Sequence, residues 1–569
     1  MATAATNALT KETDYDAEAD LVVIGAGVAG MTTALIAAVR GLSVILCEKT
    51  AMVGGNSSTS GGTTWAPGTA LSLDAGVPDR TEDAAQFLRH IVGNRGGEVL
   101  RAAFLESAPQ AIAEIVATSH VRFTVPPAHP DYHDGPGSAH GGRALAPVEF
   151  DGRRLGRDFA RIRPPRDVFM GLGGMMVARG EIAALLSPFA SLGNLKTTLR
   201  TVLRYGRDRL RYRRGTRLLM GNAMVGQLFL SLRERNVPIW FDSPLQEIIT
   251  TDGRATGAVI ATPCGPRRIR ARKGVVMASG GIGWNRELRA RFFPPEVAPT
   301  SQLPASISGD GIMAGQAAGG ALDDGGDSAG LWMPCSVLRR GDGTASVWPH
   351  ILLDRAKPGL IAVGADGRRF VNESDSYHDF CMGMIRAGLH EAWLIVDRPF
   401  IRNYGLGLVL PGGRGLGRLL RQGYVVRGAT LAALARATGV DAAGLAESVA
   451  ANNRYAKSGT DADFGRGASA MNRFNGDAAH QPNPCIGPIS TGPFYAVRVV
   501  IMDLAGAGGL ACDANGMVLD SDGRPIPGLY ACGNDAATIF RGTYPGPGTT
   551  LGPAMVFGWR IASHAAGTL

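Results

Sequence analysis

Residues 21–39 read LVVIGAGVAGMTTALIAAV. By hydropathy alone the stretch is long and apolar enough to span a membrane. Its internal order argues for something else. Four apolar residues run into Gly25-Ala26-Gly27-Val28-Ala29-Gly30, a helix-compatible run follows, the chain turns at Gly41, and a second apolar run, SVILCEK, begins. That order predicts strand, glycine turn, helix, strand. In such a unit Gly25 permits the sharp turn, Gly27 lets a pyrophosphate reach the backbone, and Gly30 lets the helix pack on the sheet. The helix N-terminus then offers free amides to phosphate. Glu48 falls at the end of the second strand, where a carboxylate can accept from ribose hydroxyls. Gly25, Gly27, Ala29, Gly30, Glu48 and the adjacent Lys49 are the first candidate cofactor residues.

The rest of the composition fits a large enzyme. The chain has 569 residues, 45% hydrophobic and 19% charged, enough for two lobes with substantial cores. Its 79 glycines and 33 prolines have no period, which excludes collagen-like and low-complexity classes. The seven cysteines are scattered without CxxC spacing, and the ten histidines show no ligand pattern. No disulfide framework, zinc site or other metal is expected. The polar opening KETDYDAEAD carries no signal-peptide pattern, so a cytoplasmic location is expected.

NAD and FAD share the glycine fingerprint, and the following segments separate them. KTAMVGGNSSTSGGTTWAPG, residues 49–68, is rich in small polar residues that can wrap a dinucleotide along its length. It resembles the opening of the fumarate reductase and 3-ketosteroid dehydrogenase flavoproteins, in which GGxS…SGG follows the acid. Gly55, Ser57, Ser60, Gly61 and Gly62 are the matching positions. VVMASGGIG (275–283) and GLYACGNDAA (528–537) resemble that group's later nucleotide strands, adding Ala278, Gly280, Gly533 and Asn534. TTLGPAM (549–555) precedes a helix to about Ala566 whose N-terminal amides can face the flavin pyrimidine, adding Thr550, Leu551 and Gly552. No second GxGxxG stands in the chain, which argues against a two-nucleotide monooxygenase. The expected cofactor is non-covalent FAD.

Nucleotide segments at both ends imply an α/β fold with a discontinuous Rossmann-like FAD-binding domain, residues 17–303 and 500–569. An inserted α+β catalytic domain, 304–499, lies between them. Within it GDGIMAGQAAGGAL predicts a helix, LIAVGADGRRFVNES a hairpin about Ala365-Asp366-Gly367, and residues 429–456 two helices. The substrate is expected in the cleft between the lobes.

Three tyrosines stand in marked loops: Tyr132 after Pro130-Asp131, Tyr377 at the end of RFVNESDSY, and Tyr544 at the head of the stiff turn TYPGPG, 543–548. A carboxylate-clamp motif of the fumarate or urocanate reductase kind is missing. With VVIGAGVAG, PDY, RRFVNES, GPFYA and TYPGPGTTLGPAM in order, the chain resembles the 3-ketosteroid Δ1-dehydrogenases over most of its length. That resemblance implies that the Tyr544 hydroxyl and the Gly548 amide bind the steroid C3 carbonyl. It also implies that Tyr377 takes the C2 proton, that Tyr132 supports Tyr377, and that hydride passes from C1 to flavin N5. Tyr495 of GPFYA is read as structural or flavin-side. The chemistry is coherent: two donors on a ketone oxygen stabilise enolate-like charge and acidify the neighbouring carbon. An ordinary phenol pKa is about 10, so Tyr377 needs Tyr132 or positive potential to favour phenolate. A sister 4-dehydrogenase acting at C4–C5 is the alternative, disfavoured by the complete set of Tyr132, Tyr377, Tyr544 and Gly548. The electron acceptor is left open.

Residues 195–217, LKTTLRTVLRYGRDRLRYRRGTR, carry Lys196 and eight arginines against Asp208 alone, in a chain of net charge +9. Leu192, Leu195, Leu199, Val202, Leu203 and Leu210 form one helical stripe. The reading is a basic amphipathic insertion, 190–218, that lies on an anionic membrane and delivers sterols with a side chain such as cholest-4-en-3-one. Nucleic acid is not the expected partner.

Overall fold

The computed structural model describes residues 15–351 and 354–569. Its first sheet is organised around the strand Ala17–Ile24, which pairs in parallel with Val44–Cys47 on one side and with Gly265–Met277 on the other. Both faces are covered, so Leu21, Val22 and Val23 are all buried and the sequence reads as a continuous apolar run rather than an alternation. Ile239–Trp240 extends the sheet beyond Val44–Cys47. Gly265–Met277 is bordered on its other side by two partners. Residues 265–270 pair with the antiparallel strand Arg254–Thr262, and residues 275–277 pair in parallel with Pro525–Ala531. The end of the chain therefore returns to the sheet that its beginning nucleates.

The fingerprint turn behaves as the sequence predicts. Gly25 has φ +105°, and a Cβ there would stand 2.3 Å from the Ala278 carbonyl oxygen, so the turn nests against the end of the neighbouring strand. Helix Val28–Val39 follows, and helix Leu551–Ala566 crosses it at Gly558. A Cβ on Gly558 would stand 2.9 Å from Thr33 Oγ1.

The second sheet runs in the order Ala345–Pro349, Gly330–Arg339, Phe494–Gly506, Glu391–Val396, Leu360–Val363, with Val426–Gly428 also on Phe494–Gly506. Side chains alternate along Gly330–Arg339. Trp332 and Leu338 join one core with Leu394, Tyr495 and Val497, while Leu331, Met333 and Cys335 join another with Met502, Tyr132, Tyr377 and Tyr544. Tyr495 therefore faces away from the other tyrosines, as a core residue.

Three expectations shift. The boundary at 500 falls inside the strand Phe494–Gly506, the central strand of the second sheet. Helix Asp310–Ala317, expected in the inserted lobe, has Gly311 against Asp535 and Ser279 of the first sheet's nucleotide edge. The hairpin about Ala365–Gly367 reduces to a single bridge between Val363 and Arg369, because the returning arm is drawn into a buried ion cluster in which Arg369 pairs with Glu373 and Asp461. The helices expected in residues 429–456 form as Leu431–Thr438 and Ala442–Ser458.

Asp535 joins the ends of the two nucleotide strands, accepting from the amides of Ser279 and, at 2.8 Å, Gly281. Burial pushes its carboxyl up to about 6, against the opposing pull of those hydrogen bonds. The folded pKa lies above the unfolded one, so the stability linked to its proton is full below about pH 4 and is lost as pH rises through about 6. In thermal melts of wild type and Asp535→Asn from pH 4 to 7, the difference in Tm should move steadily in the variant's favour. A pH-independent difference would contradict this assignment.

Candidate active site

A cleft with about 1010 Å³ of free space, its open mouth included, runs along the glycine turn. Gly25, Gly27, Ala29, Glu48, Lys49, Gly55, Ser57, Ser60, Ala278, Gly280, Gly533, Asn534, Thr550 and Leu551 all line it. Gly30, Gly61, Gly62 and Gly552 do not. Gly30 packs on the Gly25 carbonyl, Gly62 on the Met220–Gly221 backbone, and Gly552 on the Trp65 carbonyl, so these glycines serve close backbone packing. Sequence reasoning missed Ser243–Leu245 and Ser306–Asp310 on the opposite wall. The glycine-flanked acid Gly309-Asp310-Gly311 opening a helix was the available signal.

The cleft's polar groups suit a dinucleotide. Val28 at the helix N-terminus donates to Ser57 Oγ at 3.2 Å, and Thr550 and Leu551 bring a second helix N-terminus to the other end. Glu48 already accepts from the Ala26 amide at 3.1 Å and from Thr50, which orients its carboxylate beside the turn. Lys49 is held by Ser308 and Asp310, each at 2.6 Å, and so ties the two walls together. These residues would hold FAD.

Beyond the cleft the three tyrosines meet. Tyr132 Oη donates to Tyr377 Oη at 3.3 Å, and Tyr377 Oη donates to Tyr544 Oη at 3.0 Å. Their ring centroids stand 5.3–5.6 Å apart. All three are buried. Each is held by different means. The Tyr132 amide donates to the Pro545 carbonyl at 2.8 Å, and the neighbouring Asp131 is gripped by Arg143 at 2.6 Å and Trp65 Nε1 at 2.9 Å. Tyr377 opens the helix Tyr377–Arg386, capped by Ser376, and the preceding loop is pinned by Arg355 on the Glu373 carbonyl at 2.7 Å and by Arg466 on Ser374. His378 accepts from the Trp332 amide at 3.2 Å and meets the Gly542 carbonyl at 3.0 Å, which registers Tyr377 against Tyr544.

In the rigid turn Gly548 has φ +95°, and a Cβ there would stand 2.5 Å from the Thr63 carbonyl oxygen. Its carbonyl accepts from Trp65 and Gly552, while its amide meets no acceptor among the described residues. A free amide four residues past a buried phenol can donate to a carbonyl oxygen.

The electrostatics differ from expectation. Burial, reinforced by the mutual repulsion of charge on the other phenols, pushes Tyr377 well above an ordinary tyrosine, and Tyr132 and Tyr544 are raised by burial as well. Tyr132 therefore does not by itself make Tyr377 a phenolate.

A second constellation, Ser336–His350–Asp354, has the connectivity of a hydrolytic triad, with His350 at 2.7 Å from both partners. All three are buried, and Ser336 Oγ is also bound by Tyr424 Oη at 2.6 Å. It is a satisfied core network that fixes the edge of the second sheet.

Residues 20–551 match the FAD-binding domain family. The chain is 34% identical, over 96% of its length and 98% of the other, to the 3-oxosteroid 1-dehydrogenase of Mycobacterium tuberculosis. It is 37% identical to the 4-oxocyclohex-2-ene-1-carboxylate 5-dehydrogenase of Sinomonas cyclohexanicum, over 96% and 93%. The chain belongs to the FAD-dependent 3-ketosteroid dehydrogenase family. The crystal structure of the 3-ketosteroid Δ1-dehydrogenase of Sterolibacterium denitrificans, in complex with 1,4-androstadiene-3,17-dione, superimposes with a TM-score of 0.88 at 34% identity, covering 97% of this chain and 100% of that one. The protein is thus an FAD-dependent oxidoreductase with a Rossmann-like nucleotide lobe.

Gly548→Ala places a side chain at a left-handed position already in contact with Thr63, whereas Gly567 has a similar φ, +73°, and open space. Alanine at 567 should cost about 1 kcal/mol. Alanine at 548 should cost at least about 2 kcal/mol more, because backbone must move. Denaturant titration of both variants measures the gap, and equal costs would refute the close approach.

Proposed function

We propose that the enzyme introduces the C1–C2 double bond of 3-ketosteroids. The observation that carries this reading is the convergence of a buried phenol, Tyr544, an unengaged amide, Gly548, and a third group, Tyr377, in contact with the first. A ring ketone entering here accepts from Tyr544 and Gly548, and the enolate-like charge that develops on its oxygen is stabilised where water is excluded. The C2 proton passes to Tyr377, which the Tyr132 hydroxyl steadies. FAD, when bound, supplies the acceptor for the C1 hydride. The complete tyrosine set favours attack beside C2 over C4–C5 desaturation.

The same arrangement serves any ring ketone with a hydrogen-bearing α–β carbon pair, so ring size and substituents are decided by the walls. On the steroid reading, anaerobic mixing of the holoenzyme with androst-4-ene-3,17-dione should bleach the oxidised flavin and yield the 1,4-diene. Because the Tyr377 proton is held tightly, the bleaching rate should rise with pH across the neutral range. Tyr377→Phe should retain FAD and slow bleaching by about 10²–10⁴-fold. Retained bleaching in that variant would remove Tyr377 from the role of base.

Membrane association is the second part of the reading. No helix among the described residues is long and apolar enough to cross a membrane. Helix Leu192–Arg209 instead carries an apolar stripe left uncovered: Phe189, Leu192, Leu203 and Leu210 are 68–88% exposed. Not all the basic residues join it. Arg204 and Arg217 pair with Glu149 and Arg214 turns inward to Asn222, so the cationic face is narrower than the sequence implies. An interfacial helix of this kind gives access to sterols with an intact side chain, such as cholest-4-en-3-one. Phe189, Leu192, Leu203 and Leu210 changed together to serine should abolish sedimentation with phosphatidylglycerol vesicles and spare turnover of the soluble androstenedione. Undiminished sedimentation would overturn the membrane reading.

A further inference from the structure

A second cavity lies where the basic segment 211–214 folds back on residues 156–174. It has about 1390 Å³ of free space, its open mouth included, and shares no lining residue with the nucleotide cleft. Met52, Phe159, Ile162, Pro164 and Met170 form its apolar side. Arg157, Arg211, Arg213 and Arg214 form its polar side, and no aspartate or glutamate lines it. The arrangement is fixed by short contacts. A hairpin of Met170–Gly171 on Met175–Met176 is pinned to the basic segment by the Gly215 amide, which donates to the Gly174 carbonyl at 3.0 Å. The Tyr205 hydroxyl donates to the Leu172 carbonyl at 2.9 Å.

The four arginines lack counterions. Arg157, Arg211 and Arg213 make no ion pair and no side-chain hydrogen bond among the described residues. Arg214 is partly satisfied: Nη2 donates to Asn222 Oδ1 at 3.0 Å, and its guanidinium lies 4.8 Å from the centroid of the Phe159 ring. Its Nη1 is buried without a hydrogen-bond partner, and burial pushes Arg214 down to about 10. The acids nearest in the chain are committed elsewhere, Asp158 to Arg233 at 2.9 Å and Asp208 to the Thr216 amide and hydroxyl. Cations gathered round one cavity repel one another and lose hydration, a cost that an anion with several acceptor oxygens offsets.

The apolar surroundings say what the anion is attached to. Leu172 and Leu210, adjacent in the chain to the lining residues Gly173 and Arg211, are 66% and 88% exposed. A free inorganic anion has no use for an apolar wall or for leucines beside it, whereas a phospholipid uses both. We propose that the cavity binds the headgroup of an anionic phospholipid, with the phosphate on Arg157, Arg211 and Arg213 and the first acyl methylenes against Met52, Pro164 and Met170. The guanidinium fork matches the two free oxygens of a phosphodiester. This deepens the membrane reading of the helix Leu192–Arg209, on which it rests for the source of the lipid. It adds a choice among lipids, where the helix alone supplies only attraction to negative charge.

The test titrates the FAD-loaded enzyme with dihexanoyl-phosphatidylglycerol below its micelle-forming concentration, so that no bilayer is present, and reads binding by calorimetry. The wild type should bind it at least about tenfold more tightly than dihexanoyl-phosphatidylcholine or inorganic phosphate. Arg157, Arg211 and Arg213 changed together to glutamine should remove that preference. Lys196, Arg200 and Arg207 changed together to glutamine lose the same charge from the helix outside this cavity and should keep it. Melting curves and flavin spectra check that both variants are folded. Phosphate bound as tightly as phosphatidylglycerol makes this a free-phosphate site and overturns the proposal. Equal binding of the two lipids by the wild type, or no binding of either, overturns it without recourse to any variant. So does an equal loss in the two triple variants, the mark of diffuse surface attraction. Failure of the membrane reading looks different: phosphatidylglycerol vesicles do not sediment the wild type, while the dissolved lipid still binds.

Discussion

The active site depends on one close approach of backbone to backbone. The turn at 544–552 lies so tightly on residues 63–65 that a Cβ at Gly548 would meet the Thr63 carbonyl at 2.5 Å and one at Gly552 the Trp65 carbonyl at 2.0 Å. The Trp65 amide donates to the Gly548 carbonyl at 3.1 Å. Because residues 63–65 follow directly on the segment that lines the nucleotide cleft, this contact fixes the Tyr544 turn relative to that cleft. Two glycines make it possible, and any larger residue would part the two surfaces. The same contact leaves the Gly548 amide without an acceptor among the described residues.

Around that contact the protein buries charge. Arg143 joins Asp79 and Asp131, and Arg369 and Arg466 join Glu373, with every one of these carboxylates and guanidiniums well covered. Such clusters add little net stability against hydrophobic packing of the same volume, since desolvation offsets most of the attraction. They do impose geometry. Asp131 sets Tyr132, and Glu373 sets the loop leading to Tyr377, so each cluster orients one phenol from a different lobe. Trp65, stacked 6.0 Å from Phe104 and edge-on to Phe540, gives the Asp131 cluster a rigid apolar backing.

What could be read from the sequence followed from locality. The glycine turn, its strand and its helix are adjacent in the chain, and fourteen of the eighteen proposed cofactor positions line the cleft. Of the four that do not, Gly30, Gly62 and Gly552 are glycines whose small size serves packing, a use that spacing does not distinguish from ligand contact. The tyrosines were legible because each sits in a loop with a distinctive neighbour, although their hydrogen-bonded chain joins residues 245 and 167 positions apart. Tertiary pairing was not legible. The hairpin about Ala365–Gly367 lost its second arm because Arg369 is drawn to Glu373 and, from 92 positions away, to Asp461. The boundary expected at 500 falls within the strand Phe494–Gly506, which pairs with strands of the second sheet on both sides, a pairing that local sequence does not reveal.

The direction of the phenol pKa values bears on how the site turns over. In the ligand-free arrangement the protons run one way, Tyr132 to Tyr377 to Tyr544, and burial opposes charge on all three. A ketone that accepts from Tyr544 extends that chain by one step, Tyr132 to Tyr377 to Tyr544 to the carbonyl oxygen, since a hydroxyl donates and accepts at once. Tyr377 also stands at the first position of the helix Tyr377–Arg386, where the unsatisfied amides give a positive end. That end does not suffice in the empty site, since desolvation dominates. On the proposed role of Tyr377 as base, its phenol stays neutral in the empty site and gives up its proton only against the desolvation that burial imposes, so the positive helix end is the local feature that opposes that cost.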